Sequence, residues 1–155
     1  MNSKIVRDKL PFIILALLSL AAIFVPVLPN FEDKEGVYVG ADITWILIAT
    51  ALVFLMTPGL AFFYGGMVNK KNVISTMLQS FISMVLMTLI WVIVGFSLSF
   101  GDSIGGIIGD PRSFFMMKGI LDGHPWSLAP TIPIVVFALF QLKFAIITPA
   151  LITGA

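Results

Sequence analysis

Phe137, Phe140 and Phe144 recur at spacings of three and four residues, and on a helix that spacing sets the three rings along one side. An aromatic face can attract a cation electrostatically, although a phenylalanine stripe in an apolar helix is explained first by packing. Lys143 stands directly before Phe144. In a helix beginning at Thr131 it lies about 12 residues, hence about 18 Å, from the start. In a membrane that depth is near the centre, where a charge is costly and marks function by default. Its offset of about 100° from Phe144 turns it away from the ring face, so it is read as a buried structural partner for a residue supplied later in the chain, with a role in the pore as the alternative. His124, the single histidine, is flanked by Gly123 and Pro125. Neither a metal site nor a triad can be assembled around it, and it reads as an ordinary surface residue. With no cysteine there are no disulfides and no thiolate metal site. No nucleophile–base pair or metal cluster is present, so neither an enzyme nor a bound cofactor is expected.

The elements that position these side chains must be membrane spans. The chain is 59% hydrophobic and 11% charged, with a mean hydropathy of +1.07, and lacks the polar surface a water-soluble domain of this size requires. Its fold class is all-α, a polytopic helical membrane protein. Residues 43–69 run for 27 positions without a charge, more than the roughly 20 apolar residues that cross about 30 Å of hydrocarbon as a helix. Asp42 at the head can cap the first turn. Trp45 suits the interface, and Lys70 and Lys71 mark the cytoplasmic end. Pro58 and Gly59 fall mid-span, where the proline ring frees the carbonyl of Phe54 and predicts a kink that faces other helices. That kink serves packing or lines a path. Gly59, Ala61, Gly65 and Gly66 offer close approach to partner helices. The next span, 72–100, returns the chain to the outside, with Thr76, Gln79, Ser80 and Ser83 along one face for bonds between helices or, as the alternative, for a water-lined path. Residues 101–130 read as an outer loop by their glycines and prolines, with 113–118 as a re-entrant or surface-lying turn, and 131–155 re-enter the membrane.

Three stretches resemble the ammonium transporter family, in its Amt branch: TPGLAFFYGGMVNKKN (57–72), QSFISMVLMTLIWVIVGFSLSFG (79–101) and FQLKFAIITPALITGA (140–155). They stand in the family's order and spacing, and the similarity runs from about Ala41 onward. The resemblance implies an eleven-span fold of which residues 30–155 hold the first three core helices, the remainder lying beyond residue 155. It implies that Phe140 and Phe144 help form an external site for the ammonium cation, with Phe144 also gating an apolar pore. Tyr64 matches a tyrosine near the inner end of that route, and Leu151, one turn beyond Ile147, joins the apolar lining. The family completes the cation site with a tryptophan and a serine from later helices and places two hydrogen-bonded histidines deeper. Ammonia and the proton are thought to cross by separate routes. Its members are homotrimers in the cell membrane, surrounded by lipid and commonly bound on the cytoplasmic face by PII-type regulators. Lys143 departs from the family's pattern, where an apolar or small residue is expected.

Lys4, Arg7 and Lys9 ahead of an apolar run over 10–29 place the N-terminus in the cytoplasm. Residues 1–29 are then either an export signal or an extra helix, and both deliver the linker at 30–42 to the outside. Within the family a transporter and an ammonium sensor share these features. A structural membrane protein is the reading of a third class.

Overall fold

The structure, a computed structural model, describes residues 3–25 and 37–153. In chain order it contains α1 (Ser3–Phe24), α2 (Gly40–Met67), a 3-10 turn (Lys70–Asn72), α3 (Val73–Ile90), a π-helical turn (Trp91–Gly95) and α4 (Phe96–Phe100). There follow β1 (Ser103–Ile104), β2 (Ile108–Gly109), a 3-10 turn (Phe115–Met117), β3 (Pro125–Trp126), β4 (Ala129–Pro133) and α5 (Ile134–Thr153). Among the described residues, three helical stretches are long and apolar enough to cross a membrane: Gly40–Met67, Lys70–Phe100 and Ile134–Ile152. The expected spans differ from these by a few residues at their ends. Most of the charged linker expected at 30–42, and the end of the N-terminal segment, lie outside the described residues. The chain divides into two compact units, Phe31–Trp91 with Ile120–Ala155 and Met1–Asn30 with Val92–Gly119.

The first of these units is built from α2, α3 and α5, which pack against one another. Their buried positions are small or aliphatic: Ala61 and Gly65 on α2, Ser80 and Ser83 on α3, and Ala138, Leu142, Ile146 and Ala150 on α5. Small residues let helix backbones approach closely where apolar burial alone gives no preference for helix over lipid. At Gly65 a Cβ would lie 3.0 Å from Cγ of Met77 on α3, so the glycine is where those two helices come together.

Four threonine side chains in the spans bond within their own helix. Thr44 donates to the carbonyl of Gly40 at 2.8 Å, Thr50 to Ile46 at 2.6 Å, Thr88 to Met84 at 2.9 Å and Thr148 to Phe144 at 2.9 Å. This satisfies the hydroxyl without a partner helix. The polar stripe expected on the second core helix is accordingly narrower. Ser80 and Ser83 are buried and Thr76 is half-buried, but Gln79 is exposed, because it sits about 100° around the helix from Ser80. The hydroxyl of Ser83 donates to the carbonyl of Ser80 at 2.8 Å and not to another helix. Asp42 does not cap α2: the N-cap is the extended Val39, with no side-chain bond. Asp42 sits inside the first turn, where its charge favours the helix dipole.

Above these helices β3 and β4 pair antiparallel, with Pro125 opposite Pro133, Trp126 opposite Ala129, and a bulge between. The hairpin is tied to both neighbouring helix starts. Val39 N–H donates to Thr131 at 3.1 Å and Ile134 N–H to the carbonyl of His124 at 2.9 Å, and the Tyr38 hydroxyl donates to the carbonyl of Gly123. His124, read as an ordinary surface residue, is half-buried and satisfies the first turn of α5 through its backbone.

The other unit holds most of the segment read as a plain loop. β1 and β2 form a short hairpin, Ser103 opposite Gly109, turned by Gly105 and Gly106 at φ +63° and +76°, a conformation that glycine adopts without a Cβ clash. Gly109 and Gly101 press against the end of α4. A Cβ on Gly109 would fall 2.2 Å from the Ser97 carbonyl oxygen, and one on Gly101 would fall 2.4 Å from the same atom. Phe96 is fully buried beside Phe100 and Phe114, with ring centroids 5.3 Å away in each case. Ser113 donates to the Asp102 carboxylate at 3.3 Å and accepts from the Asp102 N–H at 3.0 Å. Arg112 forks onto Asp110 at 2.8 Å, and its side-chain and backbone N–H bonds hold the Asp110 carboxyl below the usual range. The apolar stretch 113–118 makes a single 3-10 turn that buries Phe115 against Ile93, Leu15 and Val25. The sharp turn comes from Met116 and Met117 at φ 58° and 59°. Lys118 Nζ reaches the Val25 carbonyl at 2.6 Å.

Candidate functional site

Three contacts set the register of α2 against α5. Val39 meets Thr131 at the start of both helices, Lys143 lies over Phe54 midway, and the Tyr64 hydroxyl donates to the carbonyl of Leu151 at 3.2 Å near both ends. The two helices therefore run parallel, as two crossings separated by one return demand. Tyr64 and Leu151, 87 positions apart, are brought together. The bond commits the Tyr64 proton and leaves the phenol oxygen free to accept. It also satisfies one of the last carbonyls of α5, which have no partner within the helix.

Phe140 and Phe144 lie one turn apart on α5, with centroids 5.2 Å apart and planes at 77°. In this edge-to-face pair one ring turns its positive edge to the face of the other. Phe140 is half-buried, whereas Phe144 is 40% exposed in the chain. Phe137 continues the row outward but pairs elsewhere, with Trp126 of β3, at 4.1 Å and 75°. The helical spacing thus fixes one row, and the hairpin takes its outer ring for packing.

Two residues on which sequence reasoning placed no role belong to this neighbourhood. Trp126 is buried, 7% exposed, and clamps Phe137. Its Pro125-Trp126 dipeptide beside the re-entering helix was the available signal. Phe54 carries the Lys143 ammonium 4.8 Å from its ring centroid. Nothing in the spacing of one helix announces that contact, because it depends on the register between two. Gln141 is half-buried, and no hydrogen bond to another helix is made by it or by Thr148 among the described residues. Among the described residues there is also no group of three or more His, Cys, Asp or Glu side chains that could hold a metal ion.

The α2–α5 pair thus carries two rings in the first half and middle of α5 and a phenol near the ends of both helices. Comparison with known proteins identifies the family. The family model described as Ammonium Transporter Family matches residues 44–155. An ammonium transporter of Mycobacterium tuberculosis (strain ATCC 25618 / H37Rv) is 44% identical over 133 residues, covering 77% of this chain and 28% of that protein. A putative ammonium transporter of Methanothermobacter thermautotrophicus is 45% identical over 115 residues, 74% of this chain and 28% of the relative. Ammonium transporter Amt1 of Archaeoglobus fulgidus is 39% identical over 114 residues, 74% of the chain and 26% of the relative. The chain spans little more than a quarter of the length of these relatives.

Proposed function

The chain belongs to the ammonium transporter family, and on that premise we propose that it serves ammonium transport across the cell membrane as part of a whole protein of the relatives' length. The observation that carries this reading is the Phe140–Phe144 pair, two rings one turn apart with the second open to a ligand. An ammonium ion entering a membrane pocket loses hydration, and each ring face returns roughly 0.5–2 kcal/mol. That is enough to draw the ion in as far as the rings, at the seventh and eleventh of the 20 residues of α5, and too little to carry it on through the rest of the apolar core, where a charge costs several kcal/mol. Transport then favours loss of the proton near the rings, because a neutral molecule of the same size is far less costly to desolvate. In this reading Phe140 and Phe144 bind the cation and Phe144 also gates the route. Leu151 lines it, and Tyr64 offers its phenol oxygen near the inner end.

The same reading places residues 30–42 and 101–130 outside the cell and the Lys70–Asn72 turn inside, in accord with the two exposed lysines of that turn. It takes the assembly to be a homotrimer in lipid, with a PII-type regulator as the partner on the cytoplasmic face. Whole protein reconstituted into liposomes is expected to release an ammonium gradient with a saturable rate. A rate equal to that of empty vesicles, from protein that melts cooperatively, overturns transport and leaves sensing by the same fold.

A further inference from the structure

Every charge in the chain but one lies outside the apolar stretches 43–69, 72–101 and 131–155, and the exception is Lys143. It is the tenth of the 20 residues of α5, so it sits about 14 Å along the helix axis from the first. A lysine at such a depth can extend toward the headgroups, but this one does not. Its Nζ lies 4.8 Å from the ring centroid of Phe54, the fifteenth of the 28 residues of α2, and so is held at mid-span on both helices. The ring attracts the charge but accepts none of the three N–H donors. Among the described residues no hydrogen bond or ion pair reaches Lys143.

An intramembrane ammonium in this position needs an acceptor. The carboxylates of this chain cannot provide it. Of its eight, none falls within the three apolar stretches, and Asp42, at the head of α2, is 12 residues and about 18 Å along the axis from Phe54. A phospholipid headgroup is excluded by the same depth. The seam is open to another helix. Beside Lys143, Leu139 one turn earlier on α5 is 40% exposed, and on α2 Phe54 and Leu47 are 41% and 44% exposed.

We propose that Lys143 is one half of an ion pair within the membrane, completed by an Asp or Glu on a further spanning helix of the same polypeptide that packs over the α2–α5 seam. The inference rests on the membrane-spanning reading but not on transport. The apolar flanks supply the contact area, the Phe54 ring fixes the direction of the ammonium, and the carboxylate sets which helix docks and at what register. Lys143 is thus a positioning residue.

The test is a double-mutant cycle in the whole protein, read by thermal melting in detergent. Lys143→Met is combined with replacement of each Asp and Glu in the spanning helices by Asn or Gln. Removing either half strands a charge, so Lys143→Met and one carboxylate variant should each lower the melting temperature by about 5 °C or more. The combined variant should recover most of the loss. If Lys143→Met does not accumulate, exchanging the pair, Lys143→Asp with that carboxylate replaced by Lys, should restore folded protein where Lys143→Asp alone does not. Melting of Lys143→Met at the parent temperature, or additive losses with every carboxylate, overturns the pair. Coupling that vanishes in dissociated monomers overturns its assignment to the same polypeptide. Since melting is read without flux, the pair can fail while transport stands, and transport can fail while the pair stands.

Discussion

Phe144→Leu in the whole protein should raise the ammonium concentration needed for half-maximal uptake by about two- to thirtyfold while leaving the protein folded. The figure follows from removing one ring face worth roughly 0.5–2 kcal/mol to a desolvated cation, at tenfold per 1.4 kcal/mol. Leucine keeps an apolar side chain of similar reach, and Phe144 is partly exposed, so no deep cavity opens. The structural cost is the lost edge-to-face contact with Phe140 at 5.2 Å, about 0.5–1.5 kcal/mol. Methylammonium uptake over a concentration series, with melting of the same preparation as control, separates the two effects. Unchanged uptake with normal melting leaves Phe144 as a packing residue.

Gly109→Ala should be among the most damaging single-methyl changes in the chain, costing about 3 kcal/mol or more. The new Cβ would meet the Ser97 carbonyl oxygen at 2.2 Å, the Leu98 carbonyl oxygen at 2.9 Å and the Gly101 nitrogen at 3.0 Å. All three are backbone atoms, and Ser97 is fully buried, so relief requires moving the end of α4 or the hairpin. Gly65→Ala is the matched control. There the nearest atoms are Cγ and Sδ of Met77 at 3.0 and 3.2 Å, side-chain atoms of an unbranched residue that can change rotamer. Its expected cost is within about 1 kcal/mol. Equal melting of the two variants would show that the β1–β2 hairpin does not press on α4 as described.

The spans were legible in the sequence because a long uncharged apolar run has few alternatives to a membrane helix. The Phe140–Phe144 row was legible because helical periodicity alone fixes neighbours one turn apart. What the sequence left open depends on contacts between elements. The meeting of Tyr64 with Leu151 and of Lys143 with Phe54 follows from the register of two parallel helices, which no local pattern encodes. The segment after the second span was read as a loop from its glycines and prolines. Those residues instead make tight hairpins, since Gly105 and Gly106 turn one and Gly109 admits the backbone of α4. Asp42 shows the limit of capping rules. An acidic residue near a helix start favours the dipole anywhere in the first turn, and the chain enters this helix as an extended segment through Val39.

The central claim, that paired rings on α5 recruit the transported cation, is tested most directly by ammonium uptake into proteoliposomes containing the whole protein with Phe140→Leu and Phe144→Leu together. Half-saturation should rise beyond that of either single variant, by about fivefold or more relative to the parent, with melting still cooperative. Parent-like half-saturation in the folded double variant would contradict the claim.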